Sequence, residues 1–293
     1  MENKILYYYN IYVSNLEKDN NNYSFIYNNN NYRLELFNRP LDDLNGLYDL
    51  NKEMISNNYM VHRIIPALDK LFILIDDKPY VLLQLINISN RRINIDDILS
   101  YNYVINNKYS KLNKSNWSNL WENKIDYIEY QFSQMNKKYP LISESINYYL
   151  GIWENAISYF NNKPFINSRL FVCHHRISVN DTLNDFYNPL KFIIDYKERD
   201  IGGYLKSSIL NKKSIEFSHY LNYFNPYLIV SRLLFPNYYF DLYEAIISGK
   251  TSEKEIEKII SLIPDYEMFL KRVFLCYKGI IPINWIIKKE LNN

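Results

Sequence analysis

The chain has 293 residues, of which 47% are hydrophobic and 23% are charged, and its net charge is +2 with a pI of about 8.2. A nucleic-acid groove usually shows as a basic stripe with a high domain pI, so this charge balance argues against nucleic acid as a partner. No apolar run approaches the ~18 residues of a membrane span, and the two cysteines make no CxxC pair or disulfide framework, so we expect a cytoplasmic protein without a membrane span.

The N-terminal third is predicted to be rich in strands. YSFIYNNNNYRLELF (Tyr23 to Phe37) consists of two alternating runs around an Asn cluster, and Asn tolerates the left-handed backbone that a hairpin turn requires. LDKLFILIDDKPYVLLQLI (Leu68 to Ile86) predicts a second hairpin with residues 76–79 as its turn. A helix is expected between the hairpins, over about Leu44 to Ser56. These elements form a small lobe, residues 1–86.

Residues 87–293 are predicted to form a larger and mostly helical lobe. Apolar residues between Trp117 and Phe132 recur at i, i+3 and i+4, and the segment 141–162 has the same period. Two short apolar strands, RLFVCHH and KFIIDY, interrupt the helices. Further helices are predicted in IGGYLKSSIL, IEFSHYLNYF, NPYLIVSRLLF, YYFDLYEAII, SEKEIEKIISLI, DYEMFLKRVFLCY and INWIIKKEL. The predicted fold class is α+β, in the order of a bilobal, protein-kinase-like domain.

The stretch CHHRISVND, Cys173 to Asp181, is the candidate functional site. Phosphoryl transfer needs a positioned carboxylate near the acceptor hydroxyl, side chains that hold magnesium, a lysine on the phosphates and a covering loop. In kinase-like folds the first two parts follow two successive short strands. His174 stands at the end of the first predicted strand and Asp195 follows the second, 21 positions later. This spacing suits a catalytic loop and the strands around it.

The segment resembles the loop of the aminoglycoside-phosphotransferase-like superfamily, which reads His-Gly-Asp, four residues, Asn, and whose next strand ends Ile-Asp-Phe. On that pattern His174 matches the His, Arg176 the catalytic Asp, and Asp181 the Asn, while Asp195 matches the later acid. The resemblance implies Asp195 and Asp181 as magnesium ligands. It also implies Asp195, Gln84 and Ile86 as nucleotide-binding residues.

A narrower resemblance is to the spore-coat-associated, CotS/YutH-type kinase-like proteins of Gram-positive bacteria. Its ordered segments are WENKIDYIE, YYLGIWENAISY, CHHR, RDIGGYLK and SRLLFPNYYF. This resemblance implies other proteins of the spore coat or its precursor as partners. It also implies a location in the mother-cell cytosol or the spore coat, if the host forms spores.

The departures from the superfamily pattern predict a degenerate site. A guanidinium accepts no proton at neutral pH, so Arg176 cannot replace the catalytic acid. No glycine precedes Gly46 to form a phosphate-covering loop, and the strand YRLELF offers Arg33 and Glu35 but no lysine. We therefore expect a pseudokinase, a binding or structural protein with no catalytic residue and no cofactor.

Two alternatives keep ATP and magnesium as cofactors. One is an active phosphotransferase on a small hydroxylated molecule, in which Asp181 or Asp185 replaces the missing base and Asp195 holds magnesium. The other is an inactive regulator whose fold is stabilised by bound ATP.

Other roles for the histidine-rich stretch are weaker. We expect His174 to brace the loop by hydrogen bonds. A catalytic pair with Cys173 is disfavoured because neighbouring strand residues point to opposite faces. A zinc site of Cys173, His174, His175 and Asp181 is disfavoured because such sites normally take ligands from a second segment.

Arg176 is expected to form an ion pair with Asp195 or Asp200, and gripping an anion is the alternative. Asp200 itself is expected to cap a helix that starts at Ile201, because an aspartate accepts hydrogen bonds from first-turn N–H groups. Trp117, Trp121 and Trp153 are expected in the core and not in a ligand cage.

Overall fold

A computed structural model describes residues 1–105, 109–135, 138–163, 169–277 and 279–287. Its α-helices are α1 (Glu2–Tyr9), α2 (Asp42–Ser56), α3 (Ile95–Ser100), α4 (Trp117–Met135), α5 (Pro140–Asn161), α6 (Leu183–Phe186), α7 (Glu198–Leu210), α8 (Ser218–Leu221), α9 (Pro226–Leu234), α10 (Asn237–Ile247), α11 (Glu255–Ile260), α12 (Ile263–Cys276) and α13 (Asn284–Ile287). Its strands are β1 (Glu17–Asp19), β2 (Asn22–Tyr27), β3 (Asn30–Leu36), β4 (Arg63–Ile65), β5 (Ile73–Ile75), β6 (Lys78–Gln84), β7 (Val104–Ile105), β8 (Leu170–His174) and β9 (Phe192–Asp195).

The chain divides into two compact units. The first comprises Met1–Lys114 and Arg169–Asp195, and the second comprises Ser115–Ser168 and Tyr196–Asn293. All of the strands therefore belong to the first unit, including the two strands on either side of the candidate loop. The lobe boundary expected at Ile86 stays a prediction.

The larger sheet of the first unit is antiparallel, with strand order β1-β2-β3-β6-β4, and β5 also pairs with β6. The turn between β2 and β3 is formed by Asn28 and Asn29, whose φ angles are 49° and 62°. The turn between β5 and β6 uses Asp76 and Asp77, at 51° and 58°. Asn and Asp tolerate this left-handed region better than other residues with a side chain. They make both predicted hairpins in a chain that has only 6 glycines.

One apolar core joins helix α2 to both sheets of the first unit. The smaller sheet has the antiparallel order β7-β8-β9, with Phe171 opposite Asp195 and His174 opposite Phe192. The buried residues of this core include Leu44, Leu47, Leu50 and Met54 from α2, Val81 and Leu83 from β6, and Val172, Phe192 and Ile194 from the smaller sheet. The ends of β8 and β9, where the candidate site lies, are thus held by the same core as α2.

The second unit is helical, and α5 packs against α4 and α9. Trp117 stacks on Trp121 with ring centroids 5.3 Å apart, and Trp121 stacks on Phe235 at 4.4 Å. Trp153 is fully buried beside Phe235 and Phe240. These tryptophans form the core, as their helical spacing predicts. Leu120, assigned by periodicity to the same buried face, is 47% exposed.

Several local predictions were wrong or incomplete. α1, β1 and β4 were not predicted, because they are short and carry little periodicity. Lys78 and Pro79, assigned to a turn, begin β6. Asp200 does not cap a helix at Ile201, because α7 already begins at Glu198 and Asp200 lies inside its first turn.

The helices predicted after β9 are present, although IEFSHYLNYF is helical only over Ser218–Leu221. The helix predicted in INWIIKKEL is described over Asn284–Ile287, and its remaining residues lie outside the described part of the chain. Among the helices that the structure describes, none is long and apolar enough to cross a membrane.

The close approach of α7 to α9 generates a stability prediction. A Cβ atom on Gly202 would lie 2.7 Å from Cγ and 3.0 Å from Cβ of Arg232. We expect Gly202→Ala to lower the free energy of unfolding by about 1–3 kcal/mol, because the added methyl group overpacks the contact. Urea denaturation would measure the change.

Gly151→Ala in α5 is the matched control, because nothing within 4 Å would meet its Cβ. Alanine is favoured over glycine in a helix, so this variant should gain up to about 1 kcal/mol. Equal stability of the two variants would contradict the packing argument.

Candidate functional site

His174, the last residue of β8, is buried and anchors the loop that follows. Its Nε2 lies 2.8 Å from the carbonyl oxygen of Phe186. Because a carbonyl only accepts, we assign the ring proton to Nε2. The imidazole also stacks on the Phe186 ring, with centroids 4.5 Å apart, and meets the Phe192 ring edge-on at 5.3 Å. These contacts connect the end of β8 with the end of α6 and the start of β9.

His175 and Arg176 are exposed, in contrast to the residue before them. The His175 N–H donates to the carbonyl of Lys191 at 2.8 Å, which fixes the start of the loop. The position that the resemblance assigns to a catalytic acid is therefore occupied by an exposed arginine. The ion pair of Arg176 with Asp195 or Asp200 stays a prediction.

The carboxylates of Asp181 and Asp185 take part in the internal hydrogen bonds of the loop. Oδ2 of Asp181 accepts from the Ser178 N–H at 2.7 Å. Oδ1 of Asp185 accepts from Nζ of Lys191 at 2.8 Å, and its Oδ2 accepts from the hydroxyl of Thr182 at 2.9 Å. Both groups therefore help to hold the loop in its observed conformation.

The two carboxyl groups differ in their proton affinity. Burial raises the pKa of Asp181 above its ordinary value, and the hydrogen bond from Ser178 offsets only part of that effect. Burial also raises the pKa of Asp185, but the hydrogen bond and charge of Lys191, with the bonds from Thr182, outweigh it and lower the pKa overall. Asp185 is thus held as a carboxylate by its neighbours.

Asp195 ends β9 and is completely buried. Its backbone oxygen lies 3.8 Å from Sγ of Cys173, which is buried on the paired strand. Across the described ranges, no group of three or more His, Cys, Asp or Glu side chains is placed to hold a metal ion. Within those ranges the disfavoured zinc set is not assembled, and Asp181 and Asp195 are not joined by a third such ligand.

Gln84 and Ile86 lie at the end of β6, where the resemblance places the nucleotide. Gln84 pairs with Tyr32 of β3 and with Arg63 of β4. The N–H of the next residue, Leu85, donates to the carbonyl of Asn31 at 2.8 Å. The Ile86 N–H donates to Nδ1 of His62 at 3.2 Å. Both N–H groups after β6 therefore already have acceptors within the protein.

His62 is a functional candidate that the sequence reasoning missed. Its side chain is fully buried, and Nε2 donates to the carbonyl of Asn184 at 2.9 Å while Nδ1 accepts from Ile86. Its own N–H donates to Tyr187, and its carbonyl accepts from Asn51 at 2.7 Å. Burial lowers the pKa of His62 to about 4, so the ring is neutral near pH 7. A single histidine outside any motif gave no signal for this role.

Glu35 and Asn188 form a second contact that no sequence pattern indicated. Nδ2 of the buried Asn188 lies 2.9 Å from each carboxylate oxygen of Glu35. Oδ1 of Asn188 accepts from the Leu190 N–H at 3.0 Å. Nη1 of Arg33 lies 3.7 Å from the same carboxylate. β3 therefore directs a carboxylate, fixed by an amide, toward the segment that precedes β9.

Arg39 provides a third connection to the same segment. Its Nη1 donates to the carbonyls of Leu190 and Phe192, at 3.2 and 2.7 Å. Its Nε and Nη2 donate to one oxygen of Asp43 in the first turn of α2, at 3.2 and 2.9 Å. A planar guanidinium suits such a set of acceptors because its donors point in fixed directions. The start of α2 is therefore linked to the start of β9.

Comparison with known proteins identifies relatives across most of the chain. A sequence profile for the family described as "Spore coat putative kinase YutH" matches residues 2–273. The endospore coat-associated protein YutH of Bacillus subtilis is 28% identical over 185 residues, which are 53% of this chain and 54% of that protein. The match thus spans about half the length of that relative. The resemblance predicted from five short segments is confirmed.

Two solved structures share the fold. An aminoglycoside phosphotransferase from Alicyclobacillus acidocaldarius has a TM-score of 0.63 at 9% identity, covering 90% of this chain and 92% of that one. A spectinomycin phosphotransferase, solved with ADP and spectinomycin, has a TM-score of 0.53 at 12% identity, covering 88% and 91%. At such identities the likeness establishes the fold alone. The predicted α+β, bilobal, protein-kinase-like fold is confirmed.

The buried His62 generates a prediction for the pH dependence of stability. In the pH range between the ordinary pKa of 6.5 and the folded-state pKa of about 4, the unfolded chain protonates His62 and the folded chain does not. The free energy of unfolding should therefore be unaffected by His62 above that range and fall as the pH decreases through it. The full loss should be about 3 kcal/mol, measured by urea denaturation across the range.

His62→Gln removes this titration and can still offer an amide donor to Asn184. We expect the variant to be less stable near neutral pH but to lose less stability on acidification. The exposed His219→Gln is the matched control and should keep the original slope. If the protein and its His62→Gln variant lose stability equally on acidification, His62 is not the group responsible.

Proposed function

We propose that this chain, which belongs to the YutH family of spore coat kinase-like proteins, is a pseudokinase that transfers no phosphate. It acts by binding other proteins of the spore coat or its precursor, in the mother-cell cytosol or the coat itself. The observation that carries the proposal is the loop after β8. Arg176 stands exposed at the position of the catalytic acid, and the loop carboxylates Asp181 and Asp185 serve as internal hydrogen-bond acceptors.

The occupied carboxylates count against an active phosphotransferase. A general base must lie within hydrogen-bond reach of the hydroxyl that it deprotonates. Both oxygens of Asp185 are engaged by Lys191 and Thr182, and the positive charge of Lys191 favours the ionised carboxylate and weakens it as a base. Asp181 has one oxygen on the Ser178 N–H. Either carboxylate would have to give up bonds that order the loop before it could replace the missing acid.

The residues at the end of β6 do not fit a bound adenine nucleotide. A purine edge is recognised by free backbone donors and acceptors, and the Leu85 and Ile86 N–H groups donate within the protein. Taking the Ile86 N–H away would leave Nδ1 of the buried His62 without its donor, which costs free energy.

The residues that would face the phosphate groups of a nucleotide also fit it poorly. β3 directs the Glu35 carboxylate inward, fixed by Asn188, and a carboxylate repels the phosphate groups that a lysine would attract. The proposed function therefore requires neither ATP nor magnesium.

The Bacillus subtilis relative supports the proposed location at the spore coat. That protein is described as endospore coat-associated, and the aligned region covers about half of each chain. The internal connections of the first unit through His62, Asn188 and Arg39 suit a scaffold that keeps one conformation. A binding protein benefits from such preorganisation because less conformational freedom is lost on association.

Thermal unfolding with ATP and magnesium tests the proposal. We expect the melting temperature to be unchanged by millimolar ATP and magnesium, because the N–H groups of Leu85 and Ile86 already donate within the protein. At about 1 mM ATP, a dissociation constant of about 10 μM would add about 2.7 kcal/mol to the free energy of unfolding, which is readily visible as a shift in melting temperature. A parallel assay of ATP turnover with hydroxylated acceptors should show no product.

The variant Asp195→Asn separates the two alternatives because it replaces the buried carboxylate at nearly constant volume. A rise in melting temperature that this variant abolishes, without turnover, would replace the proposal with the ATP-binding regulator. Turnover with any acceptor, lost in Asp195→Asn, would replace it with an active phosphotransferase.

A further inference from the structure

Although the net charge of the chain is small, acidic residues are concentrated on three helices of the second unit. Helices α4, α5 and α10 together carry seven acidic residues and a single lysine. The acids are Glu122, Asp126, Glu129, Glu144, Glu154, Asp241 and Glu244. The rest of the chain therefore holds 33 of the 34 basic residues but only 25 of the 32 acids. α4 packs against α5, and Lys124 of α4 pairs with Glu244 of α10 at 3.1 Å, so these helices are neighbours.

One side of α4 is both acidic and aromatic. Glu122, Asp126 and Glu129 are exposed and follow one another at i, i+4 and i+7, which places them in one stripe. Tyr127 and Tyr130 lie beside that stripe and are 53% and 70% exposed. Lys124, the basic residue of this helix, is bound to Glu244. We call these three acids and two tyrosines the acidic α4 face.

One side of α12 carries a basic residue between two exposed apolar residues. Met268, Arg272 and Leu275 follow one another with the same i, i+4 and i+7 spacing and are exposed. Met268 is 63% and Leu275 is 74% exposed, which is unusual for two large apolar side chains in one stripe. The guanidinium of Arg272 lies 5.2 Å from the centre of the Phe217 ring. Glu216 is also near Arg272, but its carboxylate accepts from the backbone N–H groups of residues 217 and 218. We call Met268, Arg272 and Leu275 the basic α12 face.

We propose that the basic α12 face of one copy docks on the acidic α4 face of a second copy of this chain. The two stripes have the same length, because seven residues of helix rise about 10 Å. Arg272 would meet the three acids, and a guanidinium is also attracted to the face of a tyrosine ring. Met268 and Leu275 would pack against Tyr127 and Tyr130, which removes exposed apolar surface from water.

The contact is head-to-tail, because each copy contributes a different face. Pairing two acidic α4 faces would place like charges opposite each other, which disfavours a symmetric dimer through this surface. A heterologous contact leaves one face free at each end, so copies can add in succession unless the rotation closes a ring. This assembly goes beyond the proposed function and does not depend on the state of the nucleotide site.

Sedimentation analysis with two complementary blocked variants tests the proposal. Glu122→Lys/Asp126→Lys/Glu129→Lys blocks one face, and Met268→Ser/Arg272→Glu/Leu275→Ser blocks the other. We expect the unmodified chain to gain mass with concentration at about 0.01 M salt and to return to the monomer at about 1 M, where charges are screened beyond about 3 Å. Each variant alone should stay at the 35.5 kDa monomer mass, and their equimolar mixture should form a complex of twice that mass.

The control reverses three exposed acids of the first unit, as Glu2→Lys/Glu17→Lys/Asp19→Lys. This variant changes the net charge equally and should associate like the unmodified chain. The proposal is overturned if the unmodified chain stays monomeric at low salt, if the mixed variants do not pair, or if the control variant loses association as well. Asp126→Lys alone should also weaken association, so the acidic α4 face can still be tested if the triple variant is unstable. No nucleotide is present, so these outcomes are separate from those of the ATP experiment.

Discussion

The neutral imidazole of His62 satisfies two stretches of backbone that would otherwise end in buried, unpaired groups. One ring nitrogen accepts from the segment after β6, and the other donates to the segment after α6. A buried backbone group without a partner costs about as much as a lost hydrogen bond, so this arrangement constrains both segments together. The ring serves both segments only while one nitrogen is protonated and the other is not. The backbone conformation after β6, where the family resemblance places a nucleotide, thus depends on one tautomer of the buried His62 side chain.

Polar side chains of the first unit connect segments that lie far apart in the sequence, on either side of the loop after β8. Asn188 binds Glu35, Arg39 binds two carbonyls beside β9, and Asp185 binds Lys191. Each of these polar groups is satisfied by another part of the same unit, which is the condition for burying them at low cost. An active site needs the reverse, since its groups must stay available for substrate and metal. The fold shared with the two phosphotransferases is thus formed although only 9% and 12% of the aligned residues are identical.

The sequence predicted those parts of the structure whose causes are local. The two hairpins follow from alternating side chains around Asn and Asp turns, and the long helices follow from apolar periodicity. The loop after β8 was recognised by residue spacing and by likeness to a family. His62, Asn188 and Arg39 could not be found this way, because each contacts a residue far along the chain and none of them belongs to a motif. Asp200 was misassigned for a related reason, since helix boundaries depend on tertiary contacts around the first turn.

The hairpin turns have a further consequence for the unfolded chain. Asn28, Asn29, Asp76 and Asp77 adopt left-handed backbone conformations that many proteins give to glycine. Glycine gains more conformational freedom on unfolding than any other residue, so a chain that forms its turns without glycine has a narrower denatured ensemble. Forming these turns with asparagine and aspartate therefore reduces the conformational entropy that the chain gains when it unfolds. Refolding would then begin from an ensemble in which the two turns are already more often populated.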